Sequence, residues 1–499
     1  MKTLLFSNQG LSPSHLGIEL EIIEKEIADG NDVRILYCKS NLQSCFFNAS
    51  HNLLACSICE GRTRVFYDKI KFPRTNLHPL QNFDSDFIIK QLDSIEDVFA
   101  IAYKGYDIGR GIAASYISTR RNYEYQVEDQ GFIEEMALMC VNVVDNLEFQ
   151  LKEFQPEKVI VFNGRFAEQN AIIEVCERQK VDYYTFERSS AKGKYKFFKN
   201  MLPHSLTFRW KELDRVRLEA PNDDLITIGS KWFEDRLSGG TGVVQKYLSK
   251  QEKGLLPEDF DYEKENIAIF VASEDEHAAV KEHQSHLYKT QNIAIKKIIK
   301  HFCDQPDIHF YLRVHPSLQN IHSAQTSEIK EMNYSNLTII QPQESIDTYQ
   351  LMNACDKTLA FGSATGIEAC YMGKTSILFG HAYYESINVC YWPQNYPELF
   401  DLVATKNLPS KPKENTYIFG YYQNVVGIPY SKFQEGGKNN SFYNKEPIKR
   451  LYPKTLAILS RNLKDLGQWK KMNQLIFQEP LTRKNIFKLN SHLLNEKLK

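Results

Sequence analysis

The chain has 499 residues, of which 42% are hydrophobic and 25% charged, and its formal net charge is −1. This composition is typical of a globular protein, since disorder would need lower hydrophobicity or a larger net charge, and the balanced charge gives no electrostatic reason to expect a nucleic-acid partner. The length predicts two principal domains. The chain contains no apolar run of about 18 residues, so no membrane-spanning helix is predicted.

The chain begins with a strand–helix–strand unit. Residues 2–7 predict a short buried strand, residues 15–29 carry apolar residues near helical spacing, and residues 33–37 predict the next strand. Gly30 fits the position that follows a helix. Residues 157–186 repeat this pattern, which predicts a parallel sheet. Because polar residues directly follow the first strand, we expect no signal peptide and a cytoplasmic location.

Four of the ten cysteines fall in one short region, at Cys38, Cys45, Cys56 and Cys59. The last two have the CxxC spacing of zinc knuckles, and four thiolates can complete a structural zinc site with no open position for catalysis. Ordinary buried cysteines explain the same pattern, because free cysteine is often buried. Both interpretations stay open, and the other cysteines are expected to be packing residues.

The rest of the chain predicts a second domain and a tail. A glycine-rich, highly charged stretch predicts a linker at residues 231–265, and a second alternating series of strands and helices follows. We therefore expect two α/β domains, at residues 1–230 and 266–440. The Lys/Arg-rich residues 441–499 predict a helical tail that packs back on the domains, although a basic face near anionic lipid fits their composition equally well.

A small turn follows one predicted strand of the second domain. The segment KTLAFGSATGIEACYMGK predicts a strand, a turn and a short helix. Small residues such as Gly366 let a ligand approach the backbone, and the free N–H groups at a helix start suit phosphate. Ser363 and Thr365 add hydroxyl donors, and Glu368 can accept hydrogen bonds from sugar or ribose hydroxyls. A tight connection in any α/β domain accounts for the turn equally well.

Polar residues follow two further strands of this domain. Arg313 ends the strand in YLRVHP, where it can pair with a phosphate, and His315 can donate to one. Ser273 and Glu274 follow the first strand of the domain, where they can hold a sugar. Ligands of open α/β sheets bind at the carboxyl ends of the strands, so these residues are expected at one edge. A structural histidine beside a proline and a solvated acidic loop are the alternatives.

The order of these motifs resembles the donor half of GT-B glycosyltransferases from bacterial capsule, exopolysaccharide and lipopolysaccharide loci. It is similar in particular to capsule-synthesis proteins and to sialyl- and Kdo-transferases, over residues 266 to about 384. Those proteins hold the nucleotide phosphate of the donor with a His-Pro motif and a later Ser-containing motif. His315 with Pro316 matches the first motif, and Ser363 with Thr365 matches the second. Because Ala364 separates the two hydroxyl residues here, CMP-, UDP-, GDP- and TDP-sugars all stay open as donors.

The resemblance implies two Rossmann-like domains on either side of an interdomain cleft, the first an acceptor domain with insertions and the second a donor domain. It implies a transferase that adds a sugar to a glycan or lipid-linked glycan acceptor without a catalytic metal. Peripheral contact with the inner face of the membrane would fit a lipid-linked acceptor. The residues expected to bind the donor are Arg313, His315, Ser363, Thr365, Gly366, Glu368, Ser273 and Glu274.

An inverting transferase also needs a base for the acceptor hydroxyl. Glu187, just past a predicted strand end, is the first candidate, and Asp107 and His15 are the others. Asn163 and Arg165, at the preceding strand end, are expected to bind the acceptor. A weak surface ion pair explains Glu187 equally well.

Two other functions fit the same motifs. A nucleotide-sugar 2-epimerase shares the architecture and has a Gly/Ser turn followed by a glutamate, but it needs no large acceptor domain. The insertions between residues 38 and 150 therefore favour a transferase. A non-catalytic polysaccharide-assembly protein on the same fold would bind no nucleotide.

Overall fold

The chain folds into two compact units. A computed structural model describes residues 1–83, 85–240, 248–276, 279–436 and 440–449. The first unit contains residues 1–119, residues 125–203 and the described residues after 426, and the second contains residues 120–124 and 204–426. Both units combine parallel strands with helices, which confirms the predicted α/β class with two Rossmann-like domains.

A seven-stranded sheet forms the centre of the first unit. Its strands, numbered along the chain, are β1 (Lys2–Ser7), β2 (Asp32–Tyr37), β3 (Leu77–Pro79), β4 (Lys158–Phe162), β5 (Asp182–Arg188), β6 (Lys194–Lys199) and β12 (Ile428–Pro429). The spatial order is β12-β6-β5-β4-β1-β2-β3, and the strands from β5 to β3 run parallel. The order reverses between β1 and β4, and the carboxyl ends of strands at such a reversal form a ligand crevice.

Helices flank this sheet. They are α1 (Pro13–Ala28), α2 (Leu53–Lys69), α3 (Ile95–Phe99), α4 (Gly109–Arg120), α5 (Gln130–Glu153) and α6 (Ala167–Gln179). The apolar face of α1 is buried at Leu16 and Ile23, and Gly30 follows the helix with a φ of 78°. The predicted first helix and its terminal glycine are therefore confirmed. The sequence pattern does not predict α2, which carries Cys56 and Cys59.

The second unit contains a five-stranded parallel sheet of order β11-β10-β7-β8-β9. Its strands are β7 (Glu265–Phe270), β8 (Ile308–Arg313), β9 (Leu337–Ile340), β10 (Lys357–Ala360) and β11 (Thr375–Leu378). Its helices are α7 (Leu206–Glu219), α8 (Asn222–Leu237), α9 (Gln291–His301), α10 (Ala324–Lys330), α11 (Thr348–Ala354), α12 (Thr365–Tyr371), α13 (Tyr396–Ala404) and α14 (Thr416–Val425). The alternation of strands and helices predicted for residues 266–440 is confirmed, and the apolar run of β8 is fully buried.

The second unit begins at His204, earlier than the boundary expected near residue 230. The reason is that α7 and α8 bury their apolar faces against α14, with Phe233 and Phe419 in one cluster. Helices α8 and α14 are in close contact at Gly229 and Gly420. A Cβ atom on Gly420 would lie only 2.1 Å from the carbonyl oxygen of Gly229. Within the expected linker, α8 continues to Leu237 and residues 241–247 lie outside the described residues.

The expected helical tail begins as a β-hairpin. Strands β14 (Asn440–Tyr443) and β15 (Glu446–Lys449) pair antiparallel, and β13 (Phe433–Gln434) extends the pair. Asn444 and Lys445 have φ values of 48° and 67°, as two-residue type I′ hairpin turns require. Residues 450–499 lie outside the described residues, so the rest of the tail stays a prediction. In the described ranges, no helix has the length and apolar character to cross a membrane.

Candidate functional site

The carboxyl ends of β7, β8 and β10 carry the polar residues that the sequence pattern singles out. The three strands are neighbours in the order β10-β7-β8, so Ser273, His315 and Ser363 follow adjacent strands at one edge of the sheet. We call this edge the second-unit site. Ligands of parallel α/β sheets bind at such an edge, which makes it the place to examine residue by residue.

His315 is a neutral hydrogen-bond donor in this site. Its Nδ1 accepts the backbone N–H of Ser317 at 3.1 Å, which assigns the ring proton to Nε2. Burial lowers the pKa of His315 to about 4, and the charges of Arg121 and Arg313 add to the effect. The imidazole is therefore uncharged near neutral pH, and it can donate a hydrogen bond through Nε2 without carrying a buried charge.

Arg313 is bonded to the backbone of its own unit. Its guanidinium donates to the carbonyl oxygens of Gln341 at 2.8 Å and Glu344 at 3.2 Å, so it fixes the segment that follows β9. Burial lowers the pKa of Arg313 to about 10. The expected phosphate contact of Arg313 stays a prediction, and in this arrangement two of its donors already hold the loop.

Arg121 supplies a second cation that the sequence pattern does not predict. It lies in residues 120–124, which belong to the second unit. Its Nε lies 2.6 Å from an Asp275 carboxylate oxygen, and its Nη2 donates to Ser273 Oγ at 2.9 Å. Ser273 Oγ also donates to Asp275. No local motif marks Arg121, because its neighbours in the site lie about 150 residues further along the chain.

Glu274 lies in the same acidic loop and is largely buried. Burial raises the pKa of Glu274 to about 7, although the backbone N–H of Gln291 donates to one carboxylate oxygen. Its Oε2 is buried with no hydrogen-bond partner in the described structure. Glu274 is therefore only partly ionised near neutral pH, and one oxygen remains to accept a hydrogen bond.

The turn after β10 contains two glycines because neighbouring residues pack closely against it. Gly362 has a φ of 73°, and a Cβ atom there would lie 2.7 Å from the carbonyl oxygen of His381. The Tyr384 hydroxyl donates to the Ser363 carbonyl, and a Cβ atom on Gly366 would lie 2.5 Å from that hydroxyl. The Thr365 hydroxyl is buried and has no hydrogen-bond partner among the described atoms. The glycines thus serve packing, and the hydroxyls remain as candidate ligand contacts.

The carboxylate of Glu368 is hydrogen-bonded to side chains of its own unit. Its carboxylate accepts from Arg236 Nε at 2.5 Å and from the Tyr349 hydroxyl at 3.2 Å, and the residue is 4% exposed. Both oxygens therefore have partners, and the contact with sugar or ribose hydroxyls stays a prediction.

A cavity of about 240 Å³ is lined by Val314, which precedes His315 in the chain. It lies between the segments that follow β8 and β9 and helix α10. Its lining is mixed, with apolar Val314, Leu318, Ile321, Ile329 and Pro342 and polar Gln319, Asn320, His322, Thr326, Lys330, Gln341 and Gln343.

In the first unit, the structure brings His15, Glu187 and Asn163 together. His15 Nε2 lies 3.4 Å from Glu187 Oε1, and its Nδ1 is 2.7 Å from Ser12 Oγ. Asn163 Nδ2 donates to Glu187 Oε2 at 2.8 Å. Burial alone would raise the pKa of Glu187, but the hydrogen bonds from His15 and Asn163 and the charge of His15 outweigh it and lower the pKa to about 2. Glu187 is therefore a stable anion that orients the imidazole.

The other two candidates of the first unit are Arg165 and Asp107, which have different partners. Arg165 stacks its guanidinium 4.5 Å from the centroid of the Phe166 ring, and its backbone N–H donates to Asn163 Oδ1. Asp107 is exposed, and its backbone bonds to Glu174 on the third turn of α6. The expected role of Asp107 as a base gains no support from this position.

The four clustered cysteines line one cavity, together with Asn8. Among the residues that the structure describes, however, no group of three or more His, Cys, Asp or Glu side chains can hold a metal ion. Cys56 Sγ accepts from Asn48, Cys59 Sγ contacts the carbonyl oxygen of Asn8, and burial raises the pKa of Cys38 to about 12. The zinc prediction from Cys38, Cys45, Cys56 and Cys59 is therefore not supported.

Comparisons with known proteins agree with the sequence resemblance. A search of curated proteins gives no match. Among solved structures, the β-Kdo 2,4-transferase KpsC of Thermosulfurimonas dismutans is 10% identical and covers 52% of this chain and 78% of its own, with a TM-score of 0.34. The UDP-GlcNAc 2-epimerase of Neisseria meningitidis is 12% identical and covers 85% and 95%, with a TM-score of 0.27. Residues 242–408 match the family model of capsule polysaccharide biosynthesis proteins, so the predicted resemblance to capsule-synthesis proteins is confirmed for this part of the chain.

Proposed function

We propose that the protein is a glycosyltransferase of capsule polysaccharide biosynthesis that takes its sugar from a nucleotide-sugar. The observation that carries the proposal is the neutral His315 beside Arg121 at a strand edge that lies within the family match. A histidine that donates through Nε2 and a neighbouring guanidinium suit the phosphate of a leaving nucleotide, on which negative charge develops. The hydroxyls of Ser363 and Thr365 add donors at the same edge.

The cavity lined by Val314 and Gln341 supports a nucleotide donor, because its amide side chains can pair with the polar edge of a base. Its lining does not distinguish CMP-, UDP-, GDP- and TDP-sugars. Asp275 positions the guanidinium of Arg121, whose other N–H groups can donate to a phosphate that binds there.

His15 is the base that the first unit supports best. In transfer, the acceptor oxygen forms a bond to the anomeric carbon of the donor, the bond from that carbon to the phosphate oxygen breaks, and the nucleotide leaves. The proton of the acceptor hydroxyl passes to His15 Nδ1, where the acceptor replaces the hydrogen bond with Ser12 Oγ, while Glu187 holds Nε2 and balances the charge of the ring. Glu187 also accepts from Asn163, which fixes its carboxylate, so its role is to position His15.

A transfer assay tests the proposal. The protein is incubated with each nucleotide-sugar class, with and without capsule-derived glycan, and nucleotide release is measured. We expect release that depends on the glycan and falls at least about a hundredfold in His15→Gln, the range for loss of a general base. His301→Gln, on the exposed surface of α9, is the matched control.

Other outcomes distinguish the alternatives. Conversion of the nucleotide-sugar to its epimer without glycan would indicate an epimerase and contradict transfer. Absence of any nucleotide binding would indicate a non-catalytic assembly protein. Equal rates in His15→Gln and the wild type would reject His15 as the base.

A further inference from the structure

Arg209, in the first turn of α7, is a buried cation without a counter-charge. The residue is 8% exposed, and its guanidinium carbon lies 4.6 Å from the ring centroids of both Tyr383 and Tyr422. Its Nε is buried without a hydrogen-bond partner, and within the described ranges its guanidinium forms neither a hydrogen bond nor an ion pair. The two rings attract the charge, but they leave the N–H groups of the guanidinium unpaired.

Two carboxylates on or against α7 have partners other than Arg209. Glu212 accepts from Arg215 Nη2 at 3.0 Å, and Glu282 accepts from the backbone N–H of Thr207 at 2.9 Å. A buried charge without a counter-charge is costly, because the surrounding protein replaces little of its hydration. Arg209 therefore retains both its charge and its hydrogen-bond donors for an anionic ligand.

Arg209 lies beside the second-unit site. Tyr383, against which it packs, belongs to the segment that follows β11. The next residue, Tyr384, donates from its hydroxyl to the carbonyl oxygen of Ser363, in the turn after β10. All of these residues belong to the second unit. The segment after β11 therefore contacts both Arg209 and the turn that carries Ser363.

The strand order assigns places to the parts of a nucleotide-sugar. The order is β11-β10-β7-β8-β9, and the cavity lined by Val314 and Gln341 lies between the segments that follow β8 and β9. His315 follows β8 and Ser363 follows β10. A donor with its base in the cavity and its first phosphate at these two residues extends towards β11. The part of the donor beyond the first phosphate therefore approaches Arg209.

The guanidinium defines the chemistry of the group that it meets. Among the guanidinium nitrogens of Arg209, only Nε is fully buried, so the two terminal nitrogens remain accessible to a ligand. Their N–H groups form a planar fork that pairs with two oxygens of one oxyanion. A neutral hydroxyl would accept one hydrogen bond and leave the charge unbalanced. A second phosphate and a carboxylate on the sugar share the required chemistry.

We propose that Arg209 binds a second oxyanion of the donor, beyond the phosphate that His315 and Ser363 receive. This inference rests on the proposed function, and it adds a residue that determines donor specificity. The preferred donor carries a second negative group, which is either the second phosphate of a nucleoside diphosphate or a carboxylate of the sugar.

Calorimetry with matched ligand pairs tests the proposal on the wild type and on Arg209→Gln. The first pairs are the mono- and diphosphates of cytidine, uridine, guanosine and thymidine, which differ by the second phosphate. The other pairs are UDP-glucose with UDP-glucuronate and CMP with CMP-N-acetylneuraminate, which differ by a sugar carboxylate. We expect Arg209→Gln to weaken at least one ligand with the second oxyanion about tenfold or more and to leave its counterpart unchanged. The pairs affected identify the oxyanion.

A second variant of the same helix is the matched control. Arg217→Gln removes an exposed arginine of α7 that pairs with Asp214, and it should bind every ligand as the wild type does. Equal affinities of Arg209→Gln and the wild type for all ligands would overturn the proposal, and so would an equal loss for both members of every pair. Arg209→Lys, which keeps the charge and removes the planar fork, serves the same comparison if Arg209→Gln does not fold.

Inorganic pyrophosphate separates this proposal from the proposed function. Failure of every nucleotide to bind the wild type would contradict the proposed function. Pyrophosphate then decides on Arg209 without a nucleoside. Weaker binding of pyrophosphate to Arg209→Gln than to the wild type would support the oxyanion site, whereas equal or absent binding would overturn it.

Discussion

Glu19 offers a stability test whose size follows from the structure. This carboxyl group of α1 is fully buried; its Oε1 accepts from the hydroxyls of Ser7 at 2.8 Å and Tyr67 at 2.5 Å, and its Oε2 has no partner among the described residues. Burial raises the pKa of Glu19 from 4.5 to about 7, against the opposing effect of the two hydrogen bonds. Folding therefore favours the protonated form.

The sign and size of the effect follow from linkage. The folded protein binds this proton more tightly than the unfolded chain, so the contribution of Glu19 to stability is fully present below pH 4.5 and is lost as the pH rises to about 7. At about 1.4 kcal/mol for each pKa unit, the loss amounts to about 3 kcal/mol. Glu19→Gln is uncharged at every pH. We expect it to match the wild type near pH 4.5 and to be more stable by up to about 3 kcal/mol near pH 8.

Urea denaturation of both proteins across this pH range, followed by circular dichroism, measures the difference. Hydrogen exchange of β1 and α1 peptides confirms that the gain lies in the first unit. Glu135→Gln, at an exposed position of α5, is the control and should show no such dependence. A stability difference between Glu19→Gln and the wild type that does not change with pH would refute the reasoning.

Further predictions concern the second unit. Glu368→Ala leaves the Arg236 guanidinium, which is 23% exposed, without its carboxylate partner. The free energy of unfolding should fall by about 3 kcal/mol, as urea denaturation followed by tryptophan fluorescence can measure. An unchanged midpoint would contradict the buried ion pair. Gly420→Ala places a Cβ atom against the Gly229 carbonyl and should cost about 2 kcal/mol by the same method, whereas a neutral effect would mean that α8 and α14 can separate freely. Because the pKa of His315 is about 4, the ratio of nucleotide affinities between the wild type and His315→Gln should stay constant from pH 8 to pH 6, as calorimetry can check; a ratio that changes over this range would indicate a charged histidine.

The sequence pattern predicts the strands and their ends well, because buried parallel strands appear as apolar runs that end at polar residues. This is why the edge that carries His315 and Ser363 could be identified before the structure. Which partners those residues have could not be predicted, since Arg236 and Tyr349 reach Glu368 from distant parts of the chain. Arg121 is missed for the same reason.

For the cysteines, the sequence pattern suggests a site that the structure does not support. Their spacing suggests a metal site, but spacing alone does not reveal that Cys56 and Cys59 lie on a helix and contact Asn48 and the backbone of Asn8. The pairing of His15 with Glu187 likewise depends on a contact between residues 172 positions apart. The sequence therefore names both residues as candidates, but it does not predict which of them is the base and which positions the other.

The central claim is that the second-unit site binds a nucleotide. Isothermal titration calorimetry with CMP, UDP, GDP and TDP measures it directly, on the wild type and on the His315→Ala and Ser363→Ala variants, with circular dichroism to confirm that the variants fold. The account predicts that at least one nucleotide binds the wild type and binds each variant about tenfold more weakly. Failure of all four nucleotides to bind the wild type, or unchanged affinity in both variants, would contradict it.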